Sequence, residues 1–165
     1  MSKKGVFQLG IMVIEKEEIK VVGIPWTGTY AEVNKTIPSL FNKMEERLEE
    51  VSCLTNEPVV IAPFHNRETD LTYYVTKPVG NIESVPEGMV GFSIPRKNYA
   101  CITHKGSLAE VKNTYRKLFT WMKEYGYEQD YHALGLEIYK EEDKQQNTSG
   151  KLNFEIYLPV RSYKE

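Results

Sequence analysis

Two carboxylates and two tyrosines stand out near the end of the chain by their spacing. Strand residues alternate between faces. In the run Leu152 to Leu158, Phe154, Ile156 and Leu158 share one face, while Asn153, Glu155, Tyr157 and the following Pro159 share the other. In the preceding run, Ala133 to Tyr139, the apolar set is Leu134, Leu136 and Ile138, and the opposing set is Gly135, Glu137 and Tyr139. With both apolar sets packed on helices, the face away from the helices carries Glu137, Tyr139, Glu155 and Tyr157 together. A partly desolvated carboxylate in such a place needs a cation or a donor, or its pKa rises. A bound cation supplies that charge, and tyrosine or tryptophan faces add cation–π attraction. Tyr74 and Trp26 are further candidate walls, whereas Trp121 sits beside a helical stripe and reads as packing. The plain alternative is that this face meets solvent, as one side of an antiparallel sheet often does.

Other chemistries find little support. His65, His104 and His132 have no metal-ligand spacing, and Cys53 and Cys101 match no zinc or redox motif. No nucleophile elbow or phosphate loop is present, so no metal and no cofactor is expected. The net charge of −2, from 21 basic and 23 acidic residues, comes with no dense basic run, which argues against direct nucleic-acid binding. Lys3 and Lys4 are not followed by a long apolar stretch, and no run approaches the roughly 18 apolar residues of a membrane span. These features point to a cytoplasmic protein without membrane contact.

The elements that position the candidates form a repeat. Shifting the sequence on itself by 78 positions gives 10 identities in the 23 ungapped positions 24–46, among them Gly28 on Gly106 and Ala31-Glu32-Val33 on Ala109-Glu110-Val111. Each copy opens with a strand-like run, Ile19 to Ile24 or Tyr99 to Thr103, followed by a glycine turn at Gly28 or Gly106. A capping box follows, Thr29 with Glu32 and Ser107 with Glu110. The helical stripes are Val33, Ile37, Leu40, Phe41, Met44, Leu48 and Val51, then Val111, Tyr115, Leu118, Phe119, Met122 and Tyr125. Pro38 predicts a kink, or a short first turn, in the first helix. Gly126 predicts the end of the second. Two strand-like runs follow each helix: Val59 to Phe64 and Leu71 to Val75, then Ala133 to Tyr139 and Leu152 to Leu158. Residues 80–93 connect the copies and carry enough apolar residues to pack on the domain.

The expected architecture is therefore α+β. It is one domain, 1–165, of two β-α-β-β units at about 5–79 and 94–163. An antiparallel sheet carries both helices on one face and a ligand groove on the other.

The segment Tyr99-Ala100-Cys101-Ile102-Thr103-His104-Lys105-Gly106-Ser107 and the ending Phe154-Glu155-Ile156-Tyr157-Leu158-Pro159-Val160 resemble the GyrI-like effector-binding domains. These are the ligand-sensing domains of AraC-type and MerR-type bacterial regulators, and they also occur alone. The resemblance implies binding of a hydrophobic or cationic, drug-like small molecule between the halves, with Glu155 as counter-charge; the alternation read above sets Tyr157, Tyr139, Glu137, Tyr74 and Trp26 around it as candidate ligand-binding residues. Such regulators carry a helix-turn-helix ahead of this domain. Here the domain begins almost at Met1, so a stand-alone binder is expected. Two further readings follow from the resemblance. One is a small hydrolase of reactive natural products, with Glu155 as base and Tyr139 or Tyr157 as donor. The other is a protein-interaction module of the gyrase-inhibitor kind.

Overall fold

The structure, a computed structural model, describes residues 10–144, 147 and 149–162. The element order is β1 (Met12–Lys16), β2 (Ile19–Thr29), α1 (Tyr30–Glu46), β3 (Val59–Asn66), β4 (Asp70–Val79), β5 (Val90–Ile94), β6 (Lys97–Gly106), α2 (Val111–Glu124), β7 (Tyr127–Gln129), β8 (Gly135–Lys140) and β9 (Leu152–Ser162). The strands pair antiparallel in the order β1-β6-β9-β8-β3-β4-β2-β5, with β7 on β9. Strand–helix–strand–strand thus occurs twice, as β2-α1-β3-β4 and β6-α2-β8-β9, and β3 and β8 meet at the centre.

This order forces the sheet to curl. β1 and β2 lie six strand spacings apart in the order, about 29 Å in a flat sheet. Only Glu17 and Glu18 join them, a link that spans at most about 11 Å. The same holds for β5 and β6, joined by Pro95 and Arg96. The sheet ends must therefore approach each other. The hydrophobic contacts agree: Val21, Ile94 and Tyr99, from opposite ends of the order, join one cluster with Ile61, Leu136, Ile138 and Tyr157. The helices cover the other face. There Leu40 and Met44 of α1 and Leu118, Trp121 and Met122 of α2 pack with Val22, Ile24, Val75, Ile102, Ile156 and Leu158.

Both capping boxes form, with Glu32 accepting from the Thr29 N–H at 3.0 Å and Glu110 from the Ser107 N–H at 2.9 Å. The helix starts differ from expectation. Helix α1 runs through Pro38 without interruption, whereas the second copy begins with a separate 3-10 turn, Leu108–Glu110. The predicted turn at Gly28 is instead the end of strand β2. The glycine is required there because a Cβ would lie 2.2 Å from the Trp26 ring. Gly126, with φ +79°, follows α2 as predicted. The short strands β1, β5 and β7 were not anticipated, and Phe119 is 45% exposed rather than part of the core. No helix among the described residues is long and apolar enough to cross a membrane.

Candidate functional site

The six residues singled out by sequence divide between the two faces. Glu155 and Tyr157 lie away from the helices, where Tyr157 joins the cluster around Leu136 and Ile138. Tyr74 alternates with Tyr73, which joins the helix-side cluster, so it points to that far face too, and its ring packs edge-on against Phe92 at 5.0 Å. Glu137, Tyr139 and Trp26 lie on the helix side. The side assignment of β8 is therefore reversed: Leu136 and Ile138 face the second cluster, and Glu137 and Tyr139 face the helices. The physical reason is the curl. Both faces of β8 are covered by protein, so an apolar set on one side no longer marks the side under the helices.

Glu155 is not an unpaired charge. Tyr157 donates to its Oε1 at 2.7 Å and Lys140 Nζ lies 3.5 Å from its Oε2. The carboxylate borders an open depression of about 260 Å³ that Lys105, Lys140, Glu142 and Asp143 also line. Charged and polar side chains dominate its surroundings; of the expected aromatic walls Tyr157 stands beside it, while Tyr139 and Trp26 lie on the opposite face. Tyr139 belongs to the opposite face, so it cannot serve as a proton donor beside Glu155.

Glu137 stands in the contrasting environment. It projects from the central strand β8, directly across from Ala62 of β3. The Tyr73 hydroxyl of β4 and the Tyr139 hydroxyl of β8 each donate to Oε1 at 2.8 Å. The Tyr115 hydroxyl, from α2, donates to Oε2 at 2.7 Å. Among the described residues no basic side chain pairs with it. The walls are aromatic. Phe41 of α1 meets the Tyr139 ring edge-on at 4.9 Å, Phe154 stacks on Tyr139 at 4.6 Å, and Phe64 packs against Tyr115 at 6.3 Å. Trp26 pairs with Tyr73 in the β2–β4 register. Gly135 admits this packing, since a Cβ there would lie 2.5 Å from the Phe64 ring.

The electrostatics follow from this geometry. Burial, and then the charge of Glu137, hold the Tyr73, Tyr115 and Tyr139 phenols well above their usual range, so all three remain neutral donors. A hydrogen bond to a charged group contributes about 1.5–3 kcal/mol, so three of them offset much of the cost of desolvating one carboxylate. One carboxylate thus stands among ring faces with three phenol donors and, among the described residues, no paired base.

The sequence alone does not place Tyr73 and Tyr115 beside Glu137. A signal for Tyr115 exists: a tyrosine within a stripe that faces the sheet carries its hydroxyl inward, where it must find a partner. Alternation does not distinguish Tyr73 from its neighbour Tyr74, because only the strand pairing shows which of the two turns toward Glu137. Trp121 is structural, as expected, packed between Tyr125 and Tyr127 at ring distances of 4.8 and 5.7 Å. The described residues contain no cluster of metal-ligating side chains.

A curled antiparallel sheet with two helices over an aromatic cup defines an α+β domain of the kind that takes up small molecules. The chain belongs to the GyrI-like small molecule binding domain family, whose pattern matches residues 11–161. The transcriptional regulator BrlR of Pseudomonas aeruginosa is 26% identical over 109 residues, which cover 66% of this chain and 40% of BrlR. This chain thus matches less than half of that regulator's length. Among solved structures, the EcmrR C-terminal domain superposes with a TM-score of 0.71 at 19% identity, covering 92% of this chain and 97% of that one. SAV2435 bound to tetraphenylphosphonium gives 0.67 at 14% identity, with 92% and 93% covered. A hydrolase from Listeria innocua gives 0.55 at 17% identity, with 92% and 91% covered. At these identities the structural likeness is one of fold.

Proposed function

We propose that this protein binds a lipophilic organic cation in the cup around Glu137. The observation that carries the reading is a carboxylate with three phenol donors and no paired cation, enclosed by aromatic rings. A ligand cation would supply the missing charge. Each ring face it covers after losing its water would add about 2 kcal/mol. Neutral ligands of the same shape would forgo the charge attraction, and anions would be repelled.

Tyr115 is the natural entry point. Of the three donors it alone sits on a helix, so it can swing away while every strand pairing stays intact. On the same side of that helical segment, Leu108 and Phe119 are exposed and offer an apolar rim. The relation to regulator sensor domains, and the tetraphenylphosphonium bound to SAV2435, support the same ligand class for this chain.

Calorimetric titration with tetraphenylphosphonium tests the proposal. Glu137→Gln keeps the shape of the cup and removes its charge, so the expected result is a loss of at least about tenfold in affinity. Glu155→Gln should change affinity by less than about twofold. Equal binding by the wild type and Glu137→Gln would sink the reading. A carboxylate beside phenols is also a proton-transfer set. If the water-addition product of a reactive electrophile accumulates over many turnovers, as seen by mass spectrometry, and Glu137→Gln stops its formation, the same cup acts as a hydrolase.

A further inference from the structure

Resting on that reading, we infer that the cup accepts one positive charge and rejects a second, and that Lys77 sets this limit. Three observations carry it. First, among the described residues Glu137 is the cup's one carboxylate, and the position directly across from it in the β3–β8 pairing is Ala62. Second, four acids on the surrounding elements are engaged elsewhere. Glu32 and Glu110 close the capping boxes, Glu45 pairs with Lys144, and Glu141 pairs with Lys77. Third, a cation is built into the same face. Lys77 follows Val75 by two on β4 and pairs with Val22 of β2, and both of these valines belong to the helix-side cluster.

Lys77 is only 6% exposed. Its Nζ donates to the Val59 carbonyl at 2.8 Å and to Glu141 Oε2 at 2.9 Å. Val60, next to that carbonyl, pairs with Tyr139 of the cup. A buried ammonium held by one half-exposed carboxylate leaves its field poorly screened toward the protein interior. A second charge on the ligand would find no acid to pair with and would be desolvated near a like charge. Unpaired and like-charge contacts of this kind discriminate more strongly than added attractions do.

Ethidium and propidium test this. They share one phenanthridinium ring, and propidium adds a quaternary ammonium. Dissociation constants for both come from fluorescence titration of the full chain. The wild type should bind ethidium about tenfold more tightly than propidium. Lys77→Met should narrow the ratio to within about threefold by raising propidium affinity. Glu141→Gln, at a half-exposed position, frees Lys77 from its counter-charge and should widen the ratio, which keeps the test open if Lys77→Met does not fold. Equal binding of both dyes by the wild type, or a ratio that neither variant moves, overturns the inference. If both dyes bind equally and both weaken in Glu137→Gln, the cation-binding reading stands and the single-charge limit falls. If neither dye binds, both fall.

Discussion

At the centre of the sheet, β3 and β8 set the two halves against each other. Ala62 of the first half lies opposite Glu137 of the second. Beside them, each half presents an aromatic pair across neighbouring strands, Phe64 with Tyr73 in the first and Tyr139 with Phe154 in the second. The hydroxyls are exchanged between the pairs. The first half carries its phenol on the outer strand of the pair, the second on the inner, and both phenols donate to the same Glu137 oxygen. The two halves thus meet at one carboxylate, Glu137. A carboxylate in each would place two anions side by side at a buried position, which the fold avoids by keeping alanine in one of them.

The largest effect should come from breaking this asymmetry. Ala62→Glu puts a second carboxylate opposite Glu137 at a fully buried position and is expected to cost about 4 kcal/mol at pH 8. Urea denaturation checks it.

The helices offer the next test. Phe41 and Phe119 occupy matching positions of the sequence repeat, but Phe41 packs on Tyr139 while Phe119 is exposed. Phe41→Ala should lose about 2 kcal/mol of stability and Phe119→Ala about 0.5 kcal/mol or less. Equal losses would mean that the halves are packed alike after all.

Removing one donor should cost somewhat less. Tyr73→Phe deletes a buried hydroxyl bonded to Glu137 and should lower stability by about 1.5 kcal/mol. Phe64→Tyr, on the partner strand, should not rescue it, because the two positions do not present an oxygen to the same place. Where the halves are alike, the effects should match. Thr29→Ala and Ser107→Ala each remove a capping hydroxyl and should each cost about 1 kcal/mol.

Alkaline pH has the smallest effect near neutrality and grows steeply beyond it. Burial pushes the Cys101 thiol up to about 11 and the Tyr99 phenol up to about 12. The cup phenols are raised as well. The folded chain therefore retains protons that the unfolded chain releases from about pH 9 upward, so stability should be complete below pH 9 and fall between pH 9 and 12. Thermal melts across that range, with phenolate absorbance of the native protein, would show it. A flat melting temperature to pH 11 would contradict the burial of these groups.

Much of this molecule is legible in its amino-acid sequence. Both capping boxes, both helices and the four strands that follow them are readable, because each rests on local rules: residue periodicity, caps and glycine. The strands β1, β5 and β7 are not. They are short, and β1 and β5 pair with distant parts of the chain, β6 and β2 respectively. No local pattern announces such partners.

The site divides in the same way. From the sequence alone came the family resemblance, the class of chemistry (a carboxylate among tyrosines) and the region of the chain that holds it. Which carboxylate stands unpaired among the rings was a tertiary decision. Alternation along β8 separates Glu137 from Ile138 but is silent on which face meets the helices. Only the curl of the sheet, which covers both faces, turns Glu137 toward Tyr73, Tyr115 and Tyr139 and leaves Glu155 beside Lys140. A period of two sorts residues into faces, and long-range strand order decides what each face meets.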